Sequence, residues 1–407
     1  MGRRALVATL LTAVACSRGT VPRPPGGDPI TTDGVLARSN LEAMIAAYEG
    51  MVAREPAWGS ARLSLVTLLE ARASTYGRVE DLERAVQIAE DGVLRAPRSP
   101  EAWLGRASAR AGLHRFADAG GDLDRALALG ADTDALAAQR ASIALARGAL
   151  STALEISRAR AVREPGMATD GALGVVLAES GDEGGAARAF ARALAAYRDT
   201  SPFPVAFVEF RQGLLAERTG DLDRATERYG AVLRRLPGHA QAAVHLASVE
   251  MARGRLDAAA TALDTLLPGA SDPEIAATRA GLARRRGDPS EAARQDSLAR
   301  ERYLALLARH PEAFADHAAR FFLGREPVEA LRWARANLEV RQTSDGFDLA
   351  LTAALRAGDG AARCILARGA GALAVRTPRL DRLVSEGLRD CENRAQEPGG
   401  GPGGARQ

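Results

Sequence analysis

Residues 213–237 read GLLAERTGDLDRATERYGAVLRRLP, and that spacing decides the fold. Gly213 and Ala225 are small residues on either side of Thr219-Gly220-Asp221, Tyr229 follows Ala225 by one helical turn, and Pro237 closes the stretch. A glycine readily takes the left-handed conformation that ends a helix, and an aspartate beside it accepts from the first amides of the next helix. Pro237 stops that second helix, because its ring removes a donor and crowds the preceding turn. The stretch therefore predicts two helices that cross at close range over small side chains.

The pattern recurs on both sides. Upstream, Gly174, Ala186, Phe190 and Ala193 stand at the matching places, and before them Pro100, Trp103, Ala107, Ala119, Leu123 and Ala126. Downstream come Ala247, Ala259, Leu263 and Leu266, then Pro311-Glu312-Ala313-Phe314 with Ala318 and Ala330. Turn signals fall between the paired helices at Ser180-Gly181-Asp182, Arg253-Gly254-Arg255 and Arg286-Gly287-Asp288. A small residue in each first helix is expected to face the small residue early in the second, with the larger residue four later capping the contact. The unit from Ala57 to Pro97 is expected to have a longer turn around Ser74-Thr75-Tyr76. The second helix after Gly287 is expected to run on to Arg309, and Pro378 to Asn393 reads as a closing helix. Such a period of roughly 34 residues is the mark of a stacked-repeat protein.

These units resemble tetratricopeptide repeats. The resemblance implies an all-α, right-handed α-solenoid of about ten helix–turn–helix repeats over residues 35–394. It also implies a concave surface, lined by first helices, that holds protein or peptide partners. Carried over by position, the lining residues are Phe207, Arg211, Leu214 and Arg218 from one helix, and Gln241, His245 and Met251 from the next. Arg279, Leu282 and Arg286 follow, and then Phe322. The four arginines suit bidentate pairing with the carboxylates of an acidic peptide, with Phe207 and Met251 as apolar anchors. The plainer reading is that they are solvated helix faces paired with Glu209, Glu217 and Asp221.

Composition agrees with stacked helix pairs. Aromatic residues make up 4% of the 407, and a low aromatic content suits small-residue helix packing better than one large core. The sequence contains no lysine, so lysine chemistry is excluded. Acidic and basic residues alternate along the helices, and no basic face with stacking aromatics marks a nucleic-acid partner.

The ends carry a different message. Met1-Gly2-Arg3-Arg4 is a basic start, Ala5 to Ala15 is apolar, and Cys16 follows directly. That is the build of a secretory leader, too short to span a bilayer as a mature helix. Ala13-x-Ala15 suits ordinary signal peptidase, whereas Cys16 after a small residue suits lipidation, though Ala13 stands where a lipobox has leucine. Removing Arg3 and Arg4 with the leader lowers the net charge from +3 to +1. The expected layout is a leader at 1–15, a flexible Pro/Gly-rich tether at 16–34, and a disordered tail at 395–407. The membrane would be reached through the lipid on Cys16 alone.

Chemistry is sparse. His114, His239, His245, His310 and His317 show no metal-ligand spacing, and neither a phosphate-binding loop nor a G-x-S-x-G elbow occurs. No catalytic residue, metal or cofactor is expected. Cys364 and Cys391 lie on what read as adjacent antiparallel helices, so they are candidates for a disulfide in an exported chain, or else two small buried apolar residues. The functional expectation is an exported, lipid-anchored scaffold of the bacterial cell envelope. The alternatives are a soluble periplasmic adaptor cut after Ala15, and an enzyme hidden in the degenerate C-terminal region around His310, Asp316 and His317.

Overall fold

The computed structural model describes residues 28–396. The leader, residues 16–27 of the tether and the tail beyond residue 396 lie outside the described residues. Among the described residues are twenty helices and no strand. Helix α1 (Gly34–Arg54) precedes a run of pairs. These are α2 (Gly59–Tyr76) with α3 (Glu80–Arg95), α4 (Pro100–Gly112) with α5 (Phe116–Ala128), and α6 (Thr133–Arg147) with α7 (Leu150–Arg163). Then come α8 (Met167–Glu179) with α9 (Glu183–Ala196), and α10 (Pro202–Thr219) with α11 (Leu222–Arg235). The next are α12 (Ala240–Ala252) with α13 (Leu256–Asp264), and α14 (Pro273–Arg286) with α15 (Pro289–Arg309). The series ends with α16 (Pro311–Phe322) and α17 (Pro327–Val340), α18 (Ser344–Arg356) and α19 (Gly360–Gly371), and the single α20 (Pro378–Gln396).

The turns form for the reasons the sequence gives. Gly181, Gly220, Gly254 and Gly287 all have φ between 76° and 81°. The residue after each donates back across the turn, as Asp221 N does to the Ala216 carbonyl at 2.9 Å. Asp182, Asp221 and Asp288 then cap the following helix, accepting from the amides of Gly185, Arg224 and Glu291. The Ser74–Tyr76 stretch differs from expectation: it is the last turn of α2, and Gly77 at φ 67° makes the turn. Tyr76 is buried in the same apolar cluster as Leu65 and Leu69, and that burial draws the helix on by one turn.

Close packing within a pair has a different geometry from the small-on-small contact expected. A Cβ on Gly213 would lie 2.5 Å from the Tyr229 ring, and one on Gly174 would lie 2.6 Å from the Phe190 ring. The large side chain of the second helix thus lies flat over the glycine of the first. Both rings are fully buried, together with Ala186, Ala189 and Ala193 in one pair and Ala225 and Val232 in the other.

The chain forms two compact units that meet at Ala313–Phe314. In the first, consecutive first helices touch: α2 with α4, α4 with α6, α8 with α10 and α12 with α14. The row curves far enough to bring α2 against α12. The turn after α2 meets the loop after α13, where Ser271 N and Asp272 N donate to the Gly77 carbonyl at 2.8 and 3.1 Å. Ser271 Oγ accepts from Val79 N at 3.0 Å. Nearby, Arg309 donates to Glu83 at 2.7 Å, with His310 Nε2 3.2 Å from the same carboxylate. His114, with φ 58° where the comparable turns hold glycine, places Nδ1 2.9 Å from the Glu312 carbonyl and stacks on Phe116.

The second unit packs Phe322, Ala330, Leu331, Phe347, Leu351, Leu366 and Leu380 into its core. The closing helix α20 approaches α19 so closely that a Cβ on Gly387 would lie 2.7 Å from the Ala367 methyl. Cys364 of α19 and Cys391 of α20 are joined by a disulfide, with Cα atoms 5.0 Å apart.

Candidate partner-binding face

The first helices place the expected lining residues in three different situations. Leu214, Met251 and Phe322 are buried in the apolar core, at 6%, 8% and 0% exposure. Leu214 packs in the cluster around Tyr229, and Met251 joins Ala247, Ala259, Leu263 and Leu282. Each is apolar and long enough to fill the space between stacked pairs, and burial holds it there. Leu282, at 7% exposure, goes with them.

A second group faces inward but is engaged. Arg211 is buried and holds its guanidinium 5.1 Å from the centre of the half-buried Phe207 ring. Arg218 reaches back to the preceding first helix, where it donates to Glu179 at 2.6 Å and to the Ala178 carbonyl. His245 Nδ1 lies 3.0 Å from Glu217, which also accepts from the Tyr229 hydroxyl at 2.8 Å. The Glu217 carboxyl is held below its usual range: burial pushes it up, but the His245 and Tyr229 contacts outweigh that. His239 beside this cluster is buried, which lowers it to about 4 and keeps its ring neutral. Gln241 is also buried, and its amide nitrogen has no hydrogen-bond partner.

The third group is open to solvent. Arg279 is exposed on α14. Arg286 is exposed and donates to Asp257 at 2.6 Å and to the Leu256 carbonyl at 3.2 Å. The pairings expected for the arginines are rearranged: Glu209 holds Arg235 at 3.0 Å, and Glu217 holds His245.

A regular device emerges that the sequence reading missed. Arg253 and Arg286, each at the end of a first helix, reach back to the Leu-Asp step that opens the preceding second helix. Arg253 donates to the Leu222 carbonyl and Asp223, as Arg286 does to Leu256 and Asp257. Arg218 and Arg285 use a second register, ending on the carbonyls of Ala178 and Met251 at the close of the preceding first helix. The recurring Arg-Gly at the end of a first helix, with Leu-Asp at the start of the second helix before it, was the legible signal.

Residues 70–135 and 216–282 match tetratricopeptide repeat models. These two segments are similar to tetratricopeptide repeats. Solved structures similar to this chain include a tetratricopeptide repeat protein from Parabacteroides merdae, 15% identical over 62% of this chain and 97% of that one, with a TM-score of 0.39. The yeast Tom70 crystal structure is 14% identical over 89% and 95%, also at 0.39. The Cut9–Hcn1 hetero-tetramer gives 14% over 89% and 78%, at 0.43. No curated protein matches the sequence.

Asp316 and His317 are buried, and Arg341 donates to Asp316 at 3.0 Å. No cluster of three or more metal-ligating side chains occurs among the described residues, and no helix there is long and apolar enough to cross a membrane. Cys16 lies outside the described residues.

Proposed function

We propose that this chain is an exported scaffold of the bacterial cell envelope, anchored by a lipid on Cys16, that gathers protein partners on its first helices. The observation that carries the partner-binding reading is the contact of neighbouring first helices, α2 with α4, α4 with α6, α8 with α10 and α12 with α14, since tetratricopeptide repeats build binding surfaces rather than catalytic sites. On that row Phe207, half-buried under Arg211, and the exposed Arg279 and Arg286 are the groups best placed to meet a partner. An extended acidic segment fits them, with carboxylates on the guanidinium forks and an apolar side chain on the Phe207 ring.

Export is supported by two separate features. The leader has a basic start, an apolar run and a small residue before Cys16. The Cys364–Cys391 pairing suits an oxidising compartment, where disulfides persist. A second reading, a soluble periplasmic protein cut after Ala15, is favoured by Ala13-x-Ala15 alone.

Metabolic labelling with a clickable fatty acid decides between them: the anchored reading expects label on the wild type and none on Cys16→Ser. For the partner surface, proteins crosslinked in the native envelope should be lost together when Phe207→Ala, Arg279→Glu and Arg286→Glu are combined. An unchanged set of partners in that variant would sink the binding assignment.

A further inference from the structure

The chain enters its fold through a strap, residues 28–33, that Arg235 of α11 fastens. Arg235 Nη1 donates to the Pro29 carbonyl at 3.1 Å and to the Thr31 hydroxyl at 3.0 Å, and Nη2 donates to Asp28 at 3.0 Å. The same guanidinium is itself held by the buried Glu209. Thr32 N donates to the Thr200 carbonyl at 2.7 Å. At the next step Gly34 lies so close to α11 that a Cβ would stand 2.3 Å from the Arg235 carbonyl. The strap and the first turn of α1 are therefore fixed in place.

Three large apolar side chains on this fixed segment nevertheless face water. Ile30 is 64% exposed, Val35 51% and Leu36 53%. Among the described residues no other two exposed large apolar side chains lie within nine positions of each other. Helix α1 buries Ala37, Leu41 and Ile45 along one stripe, and Val35 and Leu36 lie off it. The carboxylates beside them are already engaged: Asp28 pairs with Arg235, and Asp33 caps the amides of Val35 and Leu36. The exposed Arg234 lines the same shallow pocket as the strap. An apolar cluster with a guanidinium at its edge is the composition of a membrane-interface contact.

We infer that Ile30, Val35 and Leu36 rest in the interfacial layer of a phospholipid surface, with Arg234 at headgroup level. This rests on the reading of Cys16 as the lipid anchor. Cys16 precedes Asp28 by twelve residues, a reach of about 40 Å at full extension. The strap is thus the part of the fold that an anchored chain holds nearest the bilayer. Three part-exposed side chains make too weak a contact to bind a membrane unaided, but the anchor keeps the local concentration of lipid high, so a weak contact suffices to orient the protein.

The test uses the mature chain from residue 16. Because Cys364 and Cys391 are bonded to each other, Cys16 is the thiol available for coupling to maleimide lipid in phosphatidylglycerol-containing vesicles. Vesicles doped with a photoactivatable phospholipid are then irradiated, and lipid adducts are mapped by mass spectrometry. Adducts concentrated on residues 28–38, and lost when Ile30→Ser, Val35→Ser and Leu36→Ser are combined in a chain of unchanged circular dichroism, support the inference. Adducts spread evenly over the protein, adducts that survive the triple substitution, or a strap crosslinked instead to a second copy would overturn it. The coupling bypasses natural acylation, so an unlabelled Cys16 in cells would sink the anchoring reading while leaving this measurement to stand by itself.

Discussion

At the scale of single residues, glycine and arginine carry the repeat. Gly213 admits the Tyr229 ring at a distance no Cβ tolerates, and the ring hydroxyl in turn fixes Glu217 for His245. Gly213→Ala is expected to destabilise the first unit by about 1–3 kcal/mol through overpacking. The penalty should shrink in a Tyr229→Leu background, where the methyl no longer meets a ring. Urea unfolding of the four chains in a double-mutant cycle measures this, and equal costs in both backgrounds would show that the ring contact is not the cause. Arg218 and Arg253, at the ends of first helices, reach back one repeat and stitch neighbours together. The exposed Arg286–Asp257 pair adds little stability in water, whereas the half-buried Arg218 adds a charged donor to the Ala178 carbonyl, which also accepts from Gly181 N.

Between elements, the α2–α4 contact hides a titratable group. Glu70 of α2 is buried and accepts from Ser108 of α4, with its two oxygens 3.1 and 2.8 Å from Ser108 Oγ. Burial pushes the carboxyl from 4.5 up to about 7, against the smaller opposing pull of the Ser108 hydroxyl. Because the folded value lies above the unfolded one, the fold keeps its full stability from this group below pH 4.5. That stability is lost as pH rises through 7, by about 3 kcal/mol in the limit. Carboxylates such as Glu90 and Asp134, held low by arginines, act the other way and only in more acid solution. His239, lowered to about 4 by burial, makes stability rise with pH up to 6.5 and offsets Glu70 there. Between pH 6.5 and 8 the wild type should therefore lose stability with rising pH, and Glu70→Gln should flatten that slope. Denaturant midpoints across that window give the readout, and parallel slopes for the two proteins would contradict it.

For the first compact unit as a whole, the long-range closure matters most. The Gly77–Val79 turn and the Ser271–Asp272 loop are nearly two hundred positions apart in sequence, yet they share four hydrogen bonds. Ser271→Ala removes the bond from Val79 N together with the hydroxyl's contacts to the Gly77 carbonyl and Glu80, and should cost about 1 kcal/mol locally. Amide exchange at Val79 and its neighbours is then expected to quicken about fivefold, with exchange in α8 and α9 unchanged. Exchange that stays the same at Val79 would mean the closure stands without that hydroxyl. His114 belongs to the same scale. Its left-handed backbone is costly for a residue with a side chain, and its ring spends that strain on a contact with Glu312, where glycine would make none.

The sequence by itself determined the pairs. Small residues, turn glycines and capping aspartates act over one or two helical turns, so their spacing fixes where helices start, stop and nest. It also brought Cys364 and Cys391 onto adjacent helices. Tertiary structure alone decided what each inward residue does. Leu214, Met251 and Phe322 are apolar at positions where a groove and a core look alike in sequence, and only the neighbours stacked above and below bury them. The partner of an arginine is likewise set by the next repeat's placement, which local spacing does not encode. The meeting of α2 with α12, and the pinning of the strap by Arg235, depend on the summed curvature of the intervening pairs. Small per-repeat rotations accumulate into that curvature, and no single stretch of sequence records their total.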